Sequence, residues 1–408
     1  MPASLYIHIP FCVKRCIYCD FVSGIYDPEK ADNYIEALKK EIGNIPANTQ
    51  LSTLFIGGGT PTVLSAALLS DLTNNIFTHF DFTENYEATI EANPGTIDAE
   101  KLNALRSAGL NRISIGIQSF HDDELAFLGR SHTSKEAEQA VCLARDAGFE
   151  NTGIDLIYGI PGQTQSSWKQ TLENAVRLKP EHISTYELTV EEGTVLYEYL
   201  KNPAASRCNA SRQQGPGPFF KDRDFPNNVK PDEENIISMY EYAIDYLTSG
   251  GYIHYEISNF ALPDHFCKHN LNYWDRGEYY GSGPGAHSFI NGKRFFNTDN
   301  LDDYLKALSD NKSPVKGTEN IFEDKALTEA IFLGLRKTEG INLKAFSERY
   351  KKDMLQYYSK EIEELQSGGL IEFAGSNGLN ILDLSNCFLK LTRKGILLSN
   401  EIFTKFVK

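Results

Sequence analysis

The chain has 408 residues, of which 41% are hydrophobic and 23% charged, and its formal net charge is −15. This composition excludes a disordered chain and a collagen-like fibre, and no apolar run reaches the roughly 18 residues of a transmembrane helix. The acidic balance argues against a nonspecific nucleic-acid binder. The seven cysteines, an odd number, favour metal or redox chemistry over a disulfide framework. The first residues lack a signal-peptide pattern, so we expect a cytoplasmic protein.

The first half of the chain, residues 1–200, alternates apolar runs with amphipathic stretches. The predicted strands are Leu5–Ile9, Leu54–Ile56, Glu87–Ala92, Arg112–Ile117, Gly153–Tyr158 and His182–Glu187. The predicted helices between them are Asp32–Ile42, Ala66–Phe80, Ala99–Ala108, Ser134–Ala147 and Ser166–Leu178. Six repeats indicate a parallel sheet, and because a complete TIM barrel has eight, we expect an open, partial (β/α)6 barrel. Ligands of such sheets bind at the carboxyl ends of the strands.

The second half is predicted to contain three parts. Residues 201–231 have the composition of an inserted surface loop. Residues 232–317 begin with a helix at Asp232–Leu247 and continue, over Gly251–Asn297, as a loop-rich extension of the barrel. Residues 318–408 form a small α+β domain typical of a winged helix, with a hairpin and helices at Ala326–Arg336, Leu343–Tyr350, Gln356–Ser367 and Thr392–Phe406. Its positive and negative charges nearly balance, so we expect a packing or docking module that does not bind DNA.

Three cysteines are clustered in Cys12-Val-Lys-Arg-Cys16-Ile-Tyr-Cys19, directly after the first predicted strand. Thiolates at positions i, i+4 and i+7 of a curling loop can converge on one point, and three of them leave one iron of a [4Fe–4S] cluster open for a ligand. Spacing alone leaves two other interpretations open. One is a zinc site with His8 as the fourth ligand, and the other is a set of unliganded cysteines.

Further candidate residues follow the other predicted strands in chain order. They are Gly58, Gly59 and Thr60 after the second strand, Glu91 at the end of the third, Gln118 at the end of the fourth, Arg130 beyond it and Asp155 in the fifth. Glycines let a ligand approach the backbone closely, and a carboxylate can accept hydrogen bonds from ribose hydroxyls. Any one of these residues alone could be structural, but together they indicate a single binding site.

The CxxxCxxC motif, with an aromatic residue before its third cysteine, resembles that of the radical S-adenosylmethionine (SAM) superfamily. The resemblance implies that Cys12, Cys16 and Cys19 bind a [4Fe–4S] cluster whose unique iron chelates SAM. In that superfamily, one-electron reduction then cleaves SAM to a 5′-deoxyadenosyl radical. A one-electron reductant is therefore an implied partner.

The sequence Tyr6-Ile-His-Ile-Pro-Phe-Cys12 narrows the resemblance to the oxygen-independent coproporphyrinogen III oxidase group, over essentially the whole chain. The oxidases convert two propionates of a porphyrinogen to vinyl groups. The resemblance to this group implies one or two SAM molecules bound by Tyr6, Tyr18, Gly58, Gly59, Thr60, Glu91, Gln118, Arg130 and Asp155.

Two differences separate this chain from the oxidases. Their motif has a fourth cysteine where this chain has Phe21, and they carry a long arm ahead of the motif. Both differences match the sister family of heme chaperones. The segment His269-Asn-Leu-Asn-Tyr273-Trp274 also matches the HNxxYW signature of that family. We therefore predict a cytoplasmic heme chaperone that binds a [4Fe–4S] cluster, SAM and heme, and transfers heme to an acceptor such as a membrane-associated respiratory protein.

The heme-binding residues are predicted from the same signature. His269 offers an imidazole to iron, and the rings of Tyr273 and Trp274 can stack on a macrocycle. A hydrogen-bonded loop histidine beside core aromatics is the structural alternative, and His265, Cys267 and His287 are alternative ligands. We assign no catalytic residue. Two other functions stay open: an authentic coproporphyrinogen oxidase, which the missing cysteine disfavours, and a zinc-binding structural protein.

Overall fold

The computed structural model describes residues 2–201, 232–375 and 387–407. Most of the predicted insertion at 201–231 and the tip of the predicted C-terminal hairpin lie outside these residues. In the described ranges no helix is long and apolar enough to span a membrane.

A sheet of twelve strands, numbered β1 to β12 in chain order, organises the described part of the chain. The first six strands are Ala3–Ile9 (β1), Gln50–Gly58 (β2), Asp81–Ala92 (β3), Arg112–Gln118 (β4), Thr152–Tyr158 (β5) and His182–Glu187 (β6). The other six are Ile253–Glu256 (β7), Asn259–Ala261 (β8), Tyr279–Ser282 (β9), His287–Ile290 (β10), Lys293–Asn297 (β11) and Val315–Asn320 (β12). Their order across the sheet is β12-β11-β10-β9-β1-β2-β3-β4-β5-β6-β8-β7.

Strands β1 to β6 are adjacent and parallel, which confirms the six predicted repeats. The helices that connect them are Pro28–Gly43, Ala66–His79, Ala99–Ser107, Asp122–Leu128, Ser134–Asp146 and Gln165–Arg177. These helices cover the sheet because their apolar faces pack on buried strand residues. The described sheet ends at β12 and β7, and so forms a partial barrel. All six carboxyl ends lie along one edge.

The region predicted as loop-rich, Gly251–Asn297, is mostly regular structure, so that prediction was wrong. It contains the strands β7 to β11 and the helix Lys268–Trp274. These strands have only three to five residues each. A run this short shows too little alternation to identify a strand from sequence, whereas the neighbouring helix Glu233–Ser249 has a clear periodicity and was predicted.

The C-terminal residues pack around a second hydrophobic core. They form strands Ile341–Asn342 (β13), Ile371–Ala374 (β14) and Phe388–Leu391 (β15), in the order β13-β15-β14, as in a winged helix. The helices are Glu323–Gly334, Leu343–Tyr350, Met354–Tyr357, Ser359–Ser367, Arg393–Leu397 and Ser399–Lys405. Two predicted helices were wrong in being continuous, because the backbone leaves the helical conformation at Tyr358 and Leu398.

The buried carboxylate of Glu41 connects the first helix, Pro28–Gly43, to the strands β9 to β11. Glu41 accepts hydrogen bonds from the backbone N–H of Gly283 at 2.8 Å and from the side-chain amide of Asn297 at 2.6 Å. The hydroxyl of Tyr304 donates a third bond at 2.5 Å. Burial raises the pKa of Glu41, and these three bonds oppose the increase. The sheet position of β11 therefore depends on a side chain of the first helix.

We expect Glu41→Ala to lower the free energy of unfolding by on the order of 3 kcal/mol, since three buried donors lose their acceptor. Glu36→Ala, on the same helix, removes an exposed carboxylate that pairs with Lys39 and should cost less than about 1 kcal/mol. Urea denaturation of both variants measures the difference. Equal losses would contradict this role of Glu41.

Candidate functional site

The cysteine loop begins where β1 ends and lies over the turn that follows β2. The backbone N–H of Gly59 donates to the carbonyl of Ile9 at 2.8 Å. The N–H of Thr60 donates to the carbonyl of Phe11 at 2.7 Å. A Cβ atom at Gly59 would lie 2.9 Å from the sulfur of Cys12. Only glycine therefore allows this approach of the β2 turn to the cysteine loop.

The three motif cysteines lie on this loop as free thiols. The hydroxyl of Thr60 donates to Cys12 Sγ at 3.6 Å, and Arg130 Nη1 donates to Cys16 Sγ at 3.5 Å. Burial raises the pKa of Cys12 and raises that of Cys19 to about 11, and the charge of Cys16 adds to both shifts. The thiols are therefore close enough to shift one another's pKa values. The guanidinium of Arg130 supplies a positive charge that stabilises thiolates.

This arrangement does not have the geometry of a single-ion centre. Among the residues the structure describes, no group of three His, Cys, Asp or Glu side chains could hold a metal ion. His8 has both ring nitrogens engaged, one with the Tyr6 hydroxyl at 3.0 Å and the other with the Val22 carbonyl at 2.7 Å. The contacts of His8 argue against the zinc interpretation. A [4Fe–4S] cluster binds each thiolate at a different iron and fits three separated thiols beside an arginine.

Two carboxylates lie on the parallel strands, Glu91 next to the end of β3 and Asp155 in the middle of β5. Glu91 accepts the backbone N–H of Gly58 at 3.1 Å, and Asp155 accepts the hydroxyl of Ser114 at 3.2 Å. Burial, and then the charge of Asp155, raise the pKa of Glu91 to about 8. Burial also raises the pKa of Asp155. Such carboxylates are poorly compensated by the protein alone and suit a ligand that brings positive charge or hydroxyl donors.

Gln118 and Arg130 meet over the backbone of Gly116. Arg130 Nη2 donates to the Gly116 carbonyl at 2.6 Å. A Cβ atom at Gly116 would lie 2.9 Å from Gln118 Nε2 and 3.2 Å from Arg130 Nη2. Gln118 has a φ of 72°, which is rare for a residue other than glycine and occurs often at binding sites. Tyr18 lies beside the same arginine, and burial followed by the charge of Cys16 raises its pKa.

Sequence reasoning missed the fully buried Arg112 behind these carboxylates. Its charge lowers the pKa of both Glu91 and Asp155, and its Nη1 lies 3.4 Å from the Thr89 hydroxyl. Its Nε has no partner among the described residues. In the sequence, Arg112 is an arginine at the start of the apolar strand β4. Exposed charged residues are common at that position, so the sequence did not distinguish a buried arginine from an exposed one.

The helix Lys268–Trp274 carries the three predicted heme residues. His269 is buried, with Nδ1 at 2.7 Å from the Thr53 hydroxyl and Nε2 at 2.9 Å from the Tyr273 hydroxyl. Burial, and then Arg112, lower the pKa of His269 to about 3, so the ring is neutral. Both nitrogens are therefore occupied, and the structure places His269 as a hydrogen-bonded histidine.

The other heme candidates fall into two groups. Tyr273 and His287 line a common cavity of about 650 Å³. Trp274 contacts Arg336 instead, with the guanidinium 4.3 Å from its ring. Cys267 is buried, which raises its pKa to about 12, and His265 is half-buried and bonded to a backbone carbonyl at 2.8 Å.

The chain is similar to known proteins along its whole length. The model of the Radical SAM superfamily matches residues 6–175, and that of the HemN C-terminal domain matches residues 323–398. The chain is 36% identical to the heme chaperone HemW of Bacillus subtilis (strain 168), over 99% of each chain. It is 38% identical to the HemW of Escherichia coli (strain K12), over 71% of this chain and 70% of that one. The chain belongs to the HemW family of heme chaperones.

A solved structure supports the fold of this HemW-family chain. The coproporphyrinogen III oxidase HemN of Escherichia coli, described as a radical SAM enzyme, matches with a TM-score of 0.80 at 24% identity. The match covers 100% of this chain and 90% of the HemN chain. The predicted fold is thus confirmed, and the match of the superfamily model to residues 6–175 confirms the predicted resemblance to the radical SAM superfamily.

The raised pKa of Glu91 can be tested by measuring how the stability of the ligand-free HemW-family chain depends on pH. The carboxyl has a pKa of about 8 when folded and an ordinary value of 4.5, so between these values it takes up a proton on folding, and stability falls as pH rises across this range. Glu91→Gln keeps an acceptor for Gly58 but cannot titrate. We expect its stability relative to wild type to increase from about pH 5 to about pH 8.5.

Urea denaturation at both pH values measures this change. Glu84→Gln is the control, since Glu84 is an exposed carboxylate on the same strand β3. Its stability relative to wild type should be the same at both pH values. A Glu91→Gln difference that is also independent of pH would show that Glu91 keeps an ordinary pKa.

Proposed function

We propose that this chain binds heme and transfers it to an acceptor protein, using a [4Fe–4S] cluster and SAM. The observation that carries the proposal is the likeness to heme chaperones over nearly the full length of both chains. A membrane-associated respiratory protein is the proposed kind of acceptor, and a one-electron reductant is the proposed electron source.

We propose that each part of the chain has a different role. Residues 1–200 hold the cluster and SAM, residues 232–317 carry the heme-binding region, and residues 318–408 are the winged-helix-like module that packs against it. Residues 201–231 are an insertion to which we assign no function. The contact of Arg276 with Glu329 at 3.0 Å supports close cooperation between the second and third of these parts.

Cys12, Cys16 and Cys19 are the proposed cluster ligands, and a cluster held in this way supplies one open iron for SAM and an electron for its cleavage. The proposed SAM-binding residues are Tyr6, Tyr18, Gly58, Gly59, Thr60, Glu91, Gln118, Arg130 and Asp155. In this assignment, Glu91 and Asp155 accept hydroxyl or cationic groups, and Arg130 stabilises the Cys16 thiolate at 3.5 Å. The glycine turn, which has no side chains at Gly58 and Gly59, lets the ligand approach the backbone at the end of β2 closely.

The cluster assignment predicts the effect of single cysteine changes. Wild type purified and reconstituted without oxygen should contain about four irons and four sulfides per chain. Cys16→Ser should lose most of both and the associated visible absorbance. Cys142→Ser, in an exposed helix position, is the matched control and should retain the wild-type content. Full retention of iron and sulfide by Cys16→Ser, or zinc in their place in wild type, would contradict the assignment.

The chaperone function is tested by heme transfer and by the oxidase assay. We expect the loaded chain to bind heme, to pass it to an apo-form of a heme protein on mixing, and to form no vinyl product from coproporphyrinogen III with SAM and reductant. The discriminating residue is Phe21, at the position of the fourth oxidase cysteine. Repeated turnover to the vinyl product would establish the oxidase instead.

A further inference from the structure

A cavity of about 650 Å³ opens between the barrel extension and the C-terminal module. Strands β9 and β10, the helix Lys268–Trp274 and the helix Glu323–Gly334 form its walls, and Asp20 to Val22, directly after the cysteine loop, form its edge. Its lining combines aromatic rings with two cations: Tyr273, Tyr279, Phe289, Phe332, Arg276 and Arg294. Its size is that of a pocket for a cofactor.

His287 is the histidine whose ring is available at this cavity. The ring is exposed and stacks on Phe296 with centroids 5.2 Å apart. It forms no hydrogen bond with any residue in the described ranges, whereas His269 and His8 each have both nitrogens engaged. Burial, and then the charge of Arg294, lower the pKa of His287, so the imidazole is neutral at neutral pH. A neutral imidazole is the form that binds iron.

Two arginines are held beside His287 by a buried carboxylate. Glu329 pairs with Arg276 Nε at 3.0 Å and with Arg294 Nη2 at 2.9 Å. Both guanidiniums lie over the ring of Phe289, at 4.6 and 6.0 Å from its centre. Arg294 has a second carboxylate, Glu319, at 3.7 Å. Since each guanidinium has five N–H donors, these contacts leave donors for the carboxylates of a ligand.

Heme is a flat apolar ring with two carboxylates and an iron ion, and each of these features has a counterpart in the cavity. We propose that the cavity is the heme pocket, that His287 is the axial ligand of the iron, and that Arg276 and Arg294 bind the propionates. This assignment rests on the proposed heme-binding function. His269 is then a positioning residue, because its bond to the Tyr273 hydroxyl holds that ring at the cavity wall.

The iron ligand is tested by comparing heme with iron-free protoporphyrin IX. His287→Ala should weaken heme binding by about tenfold or more and shift the Soret band, with little effect on protoporphyrin binding. Imidazole added to solution should restore the wild-type spectrum. His265→Ala changes a histidine that does not line the cavity; it is the matched control and should behave as wild type. His269→Ala should weaken both porphyrins equally, because it releases Tyr273.

The propionate contacts are tested with heme and its dimethyl ester. Arg294→Gln and Arg276→Gln should each weaken heme binding by about tenfold, as expected for loss of a charged hydrogen bond, and leave ester binding nearly unchanged. Lys293→Gln removes an exposed positive charge from the same strand β11 and should have no effect. Thermal unfolding and cluster content confirm that each variant is folded.

Three outcomes would overturn the assignment. They are an unchanged heme spectrum in His287→Ala, loss of the iron-dependent spectrum in His269→Ala alone, and equal effects of the arginine variants on heme and ester. All three require wild type that binds heme. Wild type that binds neither heme nor protoporphyrin would instead overturn the proposed function.

Discussion

The contact between the cysteine loop and the β2 turn is the constraint on which the rest of the site depends. Two short backbone hydrogen bonds, from Gly59 to Ile9 and from Thr60 to Phe11, extend the parallel pairing of β1 and β2 beyond the strands themselves. A Cβ atom at Gly59 would collide with Cys12. The position of the first thiol is therefore fixed by the sheet, and the same turn presents its backbone to any ligand bound there.

Buried charge lies on the neighbouring strands β3, β4 and β5. Glu91 and Asp155 face each other's charge, and Arg112 and Arg130 compensate them only in part, since both carboxylates keep raised pKa values. Buried charge that is not fully paired destabilises a folded chain. A fold that retains such charge on three neighbouring strands benefits from it only when a ligand completes the pairing. The electrostatics and the cysteine loop thus point to one composite site.

The sequence was sufficient to predict the parallel repeats, and it was insufficient to predict the short strands of residues 251–297. Long strands such as β3 and β4 have apolar runs that identify them, and glycine turns mark their ends. Strands β7 to β11 are too short to show a period, so the cavity between them and the C-terminal module could not be foreseen. Arg112 was missed for a related reason: its burial depends on β4 lying at the centre of the sheet, which is a property of the topology.

The HNxxYW segment shows why a signature does not by itself identify a ligand. The two ring nitrogens of its histidine, His269, are hydrogen-bonded to the hydroxyls of Thr53 and Tyr273, at 2.7 and 2.9 Å. The ring of Tyr273 lines the cavity. A motif residue can serve to hold a cavity wall in place, and the residue that binds the ligand can then lie on another element. Here that element is β10, whose first residue is His287. Its cavity is edged by the residues that follow Cys19, so a heme bound there would lie beside the cluster loop, and the two cofactor regions would share a border.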